Sequence, residues 1–128
     1  KDAYLYEMMP HMHFRGKYMS YTAEYPDGTS ALLLSVTKYD FNWQFKYQLQ
    51  EPLFMPSGTK LVAEGAMDNS DRNPGNPDPT RPVFFGLQTM HEMFFGFTTL
   101  RYDGHVPKEQ MAAKSDIRPG SEGAGGGE

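Results

Sequence analysis

No segment of adequate length in this chain keeps its apolar residues at a helical period; β-branched and aromatic runs alternate instead with residues that favour turns. A chain patterned this way has to pair strands, so the reading is mostly β. Ala3 to Met9 and His11 to Met19 read as a broken or consecutive strand pair, because Pro10 between them removes a ladder donor and favours an edge or a bulge. Ser20 to Tyr25 continues the second run. Pro26, Asp27 and Gly28 then supply turn chemistry before Thr29 to Thr37 returns, which predicts a hairpin. Trp43 to Leu49 alternates large and polar residues, Pro52 to Gly58 breaks it, and Thr59 to Met67 resumes as a strand. Ser70 to Pro82, crowded with Asn, Asp, Gly and Pro, predicts a long loop. Val83 to Leu87 and Met93 to Tyr102 read as closing strands, with Gly86 and Gly96 marking bulges.

About eight short strands without a substantial helix predict an all-β fold, an antiparallel and jelly-roll-like β-sandwich in which two sheets bury one face each. The 128 residues hold one modest core and not two. That core is expected within residues 1–105. Residues 106–128 read as a largely irregular tail or linker, with a short helix near Lys108 to Lys114 and a Gly-rich stretch from Gly120 to Glu128 that buries no apolar surface. Beginning at Lys1 with no signal-like segment, the chain reads as processed or excised from a longer parent.

The net charge of -4 and the lack of any Lys/Arg run leave no electrostatic footprint for nucleic acid. No apolar stretch approaches the roughly 20 residues of a membrane-spanning helix. Cysteine is absent, so any metal must be held by His, Met or carboxylate.

His11 and His13 stand two apart, and in an extended strand residues i and i+2 project from one face, which brings two imidazoles towards one point. Nine Met residues accompany them, with Met8, Met9 and Met12 on one side of the sequence and Met90 and Met93 on the other. A thioether stabilises Cu(I) and imidazole serves both oxidation states, so a mixed His and Met shell suits copper, whereas zinc more often recruits Cys or carboxylate. Any single Met also fills gaps in a β core, so position has to decide.

The run His11-Met12-His13-Phe14-Arg15-Gly16-Lys17, a β-rich middle, and then His91-Glu92-Met93 before the last strand resembles the C-terminal catalytic domain of copper type II, ascorbate-dependent monooxygenases. That family includes the peptidylglycine alpha-hydroxylating and dopamine beta-monooxygenases. The chain looks closer still to bacterial single-domain relatives through Pro10-His11-Met12-His13, Tyr39-Asp40-Phe41-Asn42-Trp43-Gln44, Pro56-Ser57-Gly58-Thr59 and Asp68-Asn69-Ser70. The resemblance covers about residues 5 to 102. It implies one copper ion held by His11, His13 and Met93, oxygen activation and C–H hydroxylation at that ion, an external reductant, and an extracellular or periplasmic setting.

Two departures stand out. His91 occupies a position where the relatives usually carry an acid, and in an extended segment it would share a face with Met93, which makes it a candidate fourth ligand. The two-domain enzymes also carry a second copper on three histidines. With His11 and His13 committed, this chain retains only His91 and His105, and His105 reads as a turn residue. Autonomous two-copper chemistry is therefore not expected, and a redox partner domain or an electron-transfer role without a substrate stands as the alternative. A third reading is an interaction or carbohydrate-binding sandwich.

Asp68, Asp71 and Asp78 lack calcium-loop spacing and read as turn caps. Trp43, Phe45, Tyr47, Phe84, Phe85, Phe94, Phe95 and Phe97 read as core aromatics rather than a sugar-stacking face. No nucleophile-elbow sequence supports hydrolysis.

Overall fold

A computed structural model of the chain describes residues 1–102; the expected helix near Lys108 to Lys114, His105 and the Gly-rich tail lie outside the described residues. Among the described residues six strands are formed: Ala3–Met12 (β1), Gly16–Glu24 (β2), Ser30–Val36 (β3), Tyr47–Met55 (β4), Lys60–Met67 (β5) and Phe94–Tyr102 (β6). They make two three-stranded antiparallel sheets, in the orders β4-β1-β6 and β3-β2-β5. A single 3-10 turn, Phe41–Trp43, is the helical element of the described residues, and no helix among them is long and apolar enough to cross a membrane.

The all-β expectation holds, with six strands in place of about eight. Val83 to Leu87 is not a strand and contributes only an isolated bridge between Phe85 and Glu92. Trp43 to Leu49 is split, because the 3-10 turn takes its start and β4 begins at Tyr47, then runs through Pro52 to Met55. The first two runs divide at the His13 turn and not at Pro10, which lies inside β1. The ladder of β1 with β4 stops at Met8 opposite Tyr47, while its ladder with β6 continues to Met12 opposite Phe94. Pro10 thus occupies a stretch paired on one side only, where a missing N–H is tolerated.

The predicted hairpin joins β2 to β3. Tyr25 N donates to Thr29 O at 2.8 Å, Gly28 sits at φ 88°, and Asp27 Oδ1 accepts from the Thr29 amide. Gly28 meets the turn's need for a left-handed backbone.

Gly96 marks no bulge, since the β1–β6 register runs unbroken from Glu7–Thr99 to Met12–Phe94. Its missing side chain serves close approach instead: a Cβ there would lie 2.9 Å from Ala63 Cβ and 3.2 Å from the Tyr21 ring. The bulge is at Tyr6, where Leu5 faces Leu100 and Glu7 already faces Thr99. One extra residue moves every following side chain to the other face. Ala3 and Leu5 point inward before it, Met8 and Met12 after it, and His11 consequently points outward.

The core draws on both sheets. Ala3, Leu5, Met8 and Met12 from β1, Met55 from β4, and Met19, Tyr21 and Ala23 from β2 form one buried cluster. Burying a Leu or Met side chain of this kind is worth about 1.5–3 kcal/mol. Methionine therefore does the packing expected of the aromatics, whereas Trp43, Phe84, Phe85, Phe95 and Phe97 are exposed. Phe95 and Phe97 fall on the outward face of β6, and Trp43, Phe84 and Phe85 lie outside the strands, so none of the five can reach the cluster.

Candidate metal centre

His11 is the penultimate residue of β1, and His13 opens the turn by which the chain leaves the first sheet, closed by Gly16 N donating to His13 O at 3.0 Å. Between them Met12 points into the core, fully buried. Tyr39 fixes its backbone: the hydroxyl accepts from Met12 N at 2.9 Å and donates to Met12 O at 2.7 Å. The two imidazoles flank this anchored residue with ring centroids 5.2 Å apart and planes at 89°.

Each ring spends its Nδ1 on an oxygen. His11 Nδ1 lies 2.7 Å from Gln44 Oε1, and the Gln44 amide nitrogen donates to Phe41 O at 3.0 Å, which fixes the oxygen end towards the ring. His13 Nδ1 lies 3.1 Å from the carbonyl of His91. A carbonyl only accepts, so both Nδ1 atoms carry a proton, and in the neutral rings the lone pairs then sit on Nε2. This is the arrangement by which a protein orients imidazoles for a metal, the outer hydrogen bond setting the tautomer of the inner nitrogen. Two imidazoles bound to one ion at about 2.0 Å and a near-tetrahedral angle have centroids roughly 5 Å apart, which the observed pair matches.

His13 is also held below the ordinary histidine range. Burial is the main cause, the carbonyl of His91 opposes it, and the neighbouring rings of His11 and His91 add to the lowering. A neutral ring is what a metal ion requires.

Met93 immediately precedes β6 and is 9% exposed. Met12 pairs with Phe94 at the end of the β1–β6 ladder, so His13 and Met93 each stand one residue beyond it. Among the described residues no group of three or more His, Cys, Asp and Glu stands together as a metal site.

His91 is not extended, because it ends a turn in which its own N–H donates to Gln88 O at 2.9 Å. The shared face with Met93 expected of an extended segment does not arise. Its carbonyl serves His13, while its buried Nδ1 makes no hydrogen bond and packs against Gly86, where a Cβ would lie 2.1 Å away. Glu92 turns elsewhere and accepts from Asn69 Nδ2 at 2.8 Å.

The remaining methionines and acids resolve as structural. Met8 and Met12 belong to the core, and Met90 is exposed. Asp68 and Asp78 cap their own loop, accepting from the amides of Ser70 and Thr80, and those hydrogen bonds hold both carboxyls below the usual carboxylate range. Gln44 and Tyr39 were legible only as members of the Tyr39-to-Gln44 run; nothing in their spacing assigned them to the histidines. No protein-family model, characterised protein or solved structure matches the chain.

Proposed function

We propose that the two sheets form a jelly-roll-like β-sandwich that holds one copper ion through Nε2 of His11, Nε2 of His13 and the sulfur of Met93, as the oxygen-activating half of a copper-dependent monooxygenase. The observation that carries this reading is the pair of neighbouring imidazoles with each Nδ1 on a carbonyl oxygen, which leaves their Nε2 atoms for a metal, with the buried Met93 at the start of the strand that pairs with β1. Copper bound there would supply dioxygen activation for hydroxylation of a C–H bond.

The chain's own residues do the rest. Gln44 and the His91 carbonyl hold the rings in one tautomer, and Tyr39 holds the backbone between them. A thioether beside two imidazoles favours the reduced ion and keeps the couple accessible. A small-molecule or peptide substrate and O2 would reach the ion from the side of His11, because His13 and Met93 are both buried. With four histidines in the chain, the electron comes from outside it, from an external reductant or a redox partner domain. A secreted setting, periplasmic or extracellular, suits such a copper protein. His91 enters through its carbonyl; its ring is the fourth ligand raised by the sequence, which a His91→Ala variant tests by the loss of one nitrogen from the copper X-ray absorption spectrum.

Copper titration tests the site. The chain is expected to bind one equivalent tightly, and the His11→Ala, His13→Ala double variant to lose that binding; unchanged affinity in the double variant removes the metal reading. Oxygen consumption by the reduced copper form with ascorbate separates catalysis from a pure electron-transfer module, and a rate no higher than that of free copper rejects the enzymatic reading.

A further inference from the structure

Arg15 is a charged residue that the ligand set does not use, and it is 4% exposed. A guanidinium withdrawn from water costs several kcal/mol unless its donors are taken up. Among the described residues it forms no ion pair and its hydrogen-bond partners are neutral, with Asp78 the carboxylate that feels its charge. Nε donates to Asn76 Oδ1 at 3.0 Å, and one terminal nitrogen donates to the carbonyl of Met90. Its own carbonyl accepts from Asp68 N at 2.8 Å.

Three segments therefore meet on one side chain: the turn that begins at His13, the Asn/Asp-rich loop, and the turn from Gln88 to Met93. The last of these is also tied through Glu92, which accepts from Asn69 Nδ2 at 2.8 Å, and through the His91 carbonyl to His13. Its internal bond is His91 N to Gln88 O, its flanking partners are the backbone of Phe84 and Gly86, and Phe84, Phe85, Leu87 and Met90 are all exposed. Yet this turn delivers the His91 carbonyl to His13 and carries Met93 into β6.

We infer that Arg15 is a positioning residue that clamps the Gln88-to-Met93 turn onto the His13 turn, setting where Met93 and the His91 carbonyl arrive. Arginine is required because a planar fork donates in two fixed directions at once, to the loop and to the turn; a lysine ammonium is a point charge without that geometry. The metal readout rests on the copper reading above, whereas the clamp itself does not.

The experiment is hydrogen exchange on the metal-free full chain, followed by separate Cu(I) and Cu(II) affinities, for the wild type, Arg15→Lys and Arg15→Gln. Both variants are expected to speed exchange of the amides from Gln88 to Met93 about tenfold or more while amides of β1 and β2 stay protected. Both are expected to lose about 10–100-fold in Cu(I) affinity, as displaced outer partners do to a metal site, with a smaller loss for Cu(II) because His13 also loses its carbonyl partner. Adding Met93→Ala to Arg15→Lys should then cost no further Cu(I) affinity. Unchanged exchange in the turn, an equal rise in β1 and β2, or an undiminished effect of Met93→Ala in the Arg15→Lys background would each overturn the clamp. Should a buried lysine or glutamine unfold the chain, Asn76→Leu, which frees Nε and keeps the charge, is judged by the same criteria. If the wild type binds no copper, the metal reading fails by itself and the exchange data alone decide on Arg15.

Discussion

The hydroxyl of Tyr39 both accepts from the amide of Met12 and donates to its carbonyl, at 2.9 and 2.7 Å, so one phenol satisfies both backbone groups of the residue between His11 and His13. Tyr39→Phe keeps the ring and deletes both bonds. Leaving a part-buried backbone donor and acceptor without this partner costs about 1–3 kcal/mol. Urea denaturation followed by tyrosine fluorescence should show a midpoint shift of that size with an unchanged slope.

The same hydroxyl makes the fold sensitive to alkali. Burial raises Tyr39 from its ordinary 10.0 to about 12, with the Met12 backbone opposing and Asp40 adding to the rise. Burial also pushes Tyr21, whose hydroxyl donates to Phe97 O at 3.2 Å, well above its ordinary value. Because the folded-state value lies above the unfolded one, the native chain binds more protons between about pH 10 and 12, and stability falls as pH rises through that window. Below pH 10 the contribution is fully present. Thermal melts at pH 8 and pH 11 should differ for the wild type and differ less for Tyr39→Phe; an equal drop in both would assign the loss to other groups.

What could be read in advance divides along a physical line. The hairpin at Pro26 to Gly28 and the loop from Ser70 to Pro82 were legible because their chemistry is local, in positive φ and in carboxylates that cap the next amides. The direction in which His11 points was not, because it depends on the Tyr6 bulge, a long-range mismatch between Leu5–Leu100 and Glu7–Thr99 that no local pattern encodes. The i, i+2 spacing promised that the histidines would share a face but could not say which one. Gln44 was equally silent, since its role arises only when residues 33 apart come within 2.7 Å. The core divides the same way: methionines of β1 and β2 fill the interior, as a β core lets them, while Phe95 and Phe97, expected inside, face out.

Gly86 offers a direct probe of the turn beside the site. A Cβ there would stand 2.1, 2.6 and 2.9 Å from Nδ1, Cγ and Cβ of His91, so Gly86→Ala forces the ring away. Overpacking of this kind costs about 1–3 kcal/mol. His91→Ala removes the two nearest of those atoms, and contacting residues do not add independently. The double variant should therefore lose less stability than the two single losses together, by at least half of the Gly86→Ala effect. Strict additivity in the denaturation midpoints would show that the ring and the glycine do not press on each other.

Gln44 tests whether the ring tautomer matters to the metal. Its Oε1 is the acceptor that keeps the proton of His11 on Nδ1, and its amide is held in turn by Phe41 O, so both ends of the side chain are committed. Gln44→Leu has a similar bulk and no acceptor, which leaves the His11 ring to choose its tautomer and orientation. Loss of such an outer partner weakens metal binding about 10–100-fold. Gln44→Glu keeps an acceptor and adds charge, so it should hold copper at least as tightly as the wild type. The two variants thus move affinity in opposite directions although both remove the amide's bond to Phe41. A competition titration against a chromophoric Cu(I) chelator reads the difference, and equal affinities for the two variants would mean that the Gln44 hydrogen bond orients nothing at the metal.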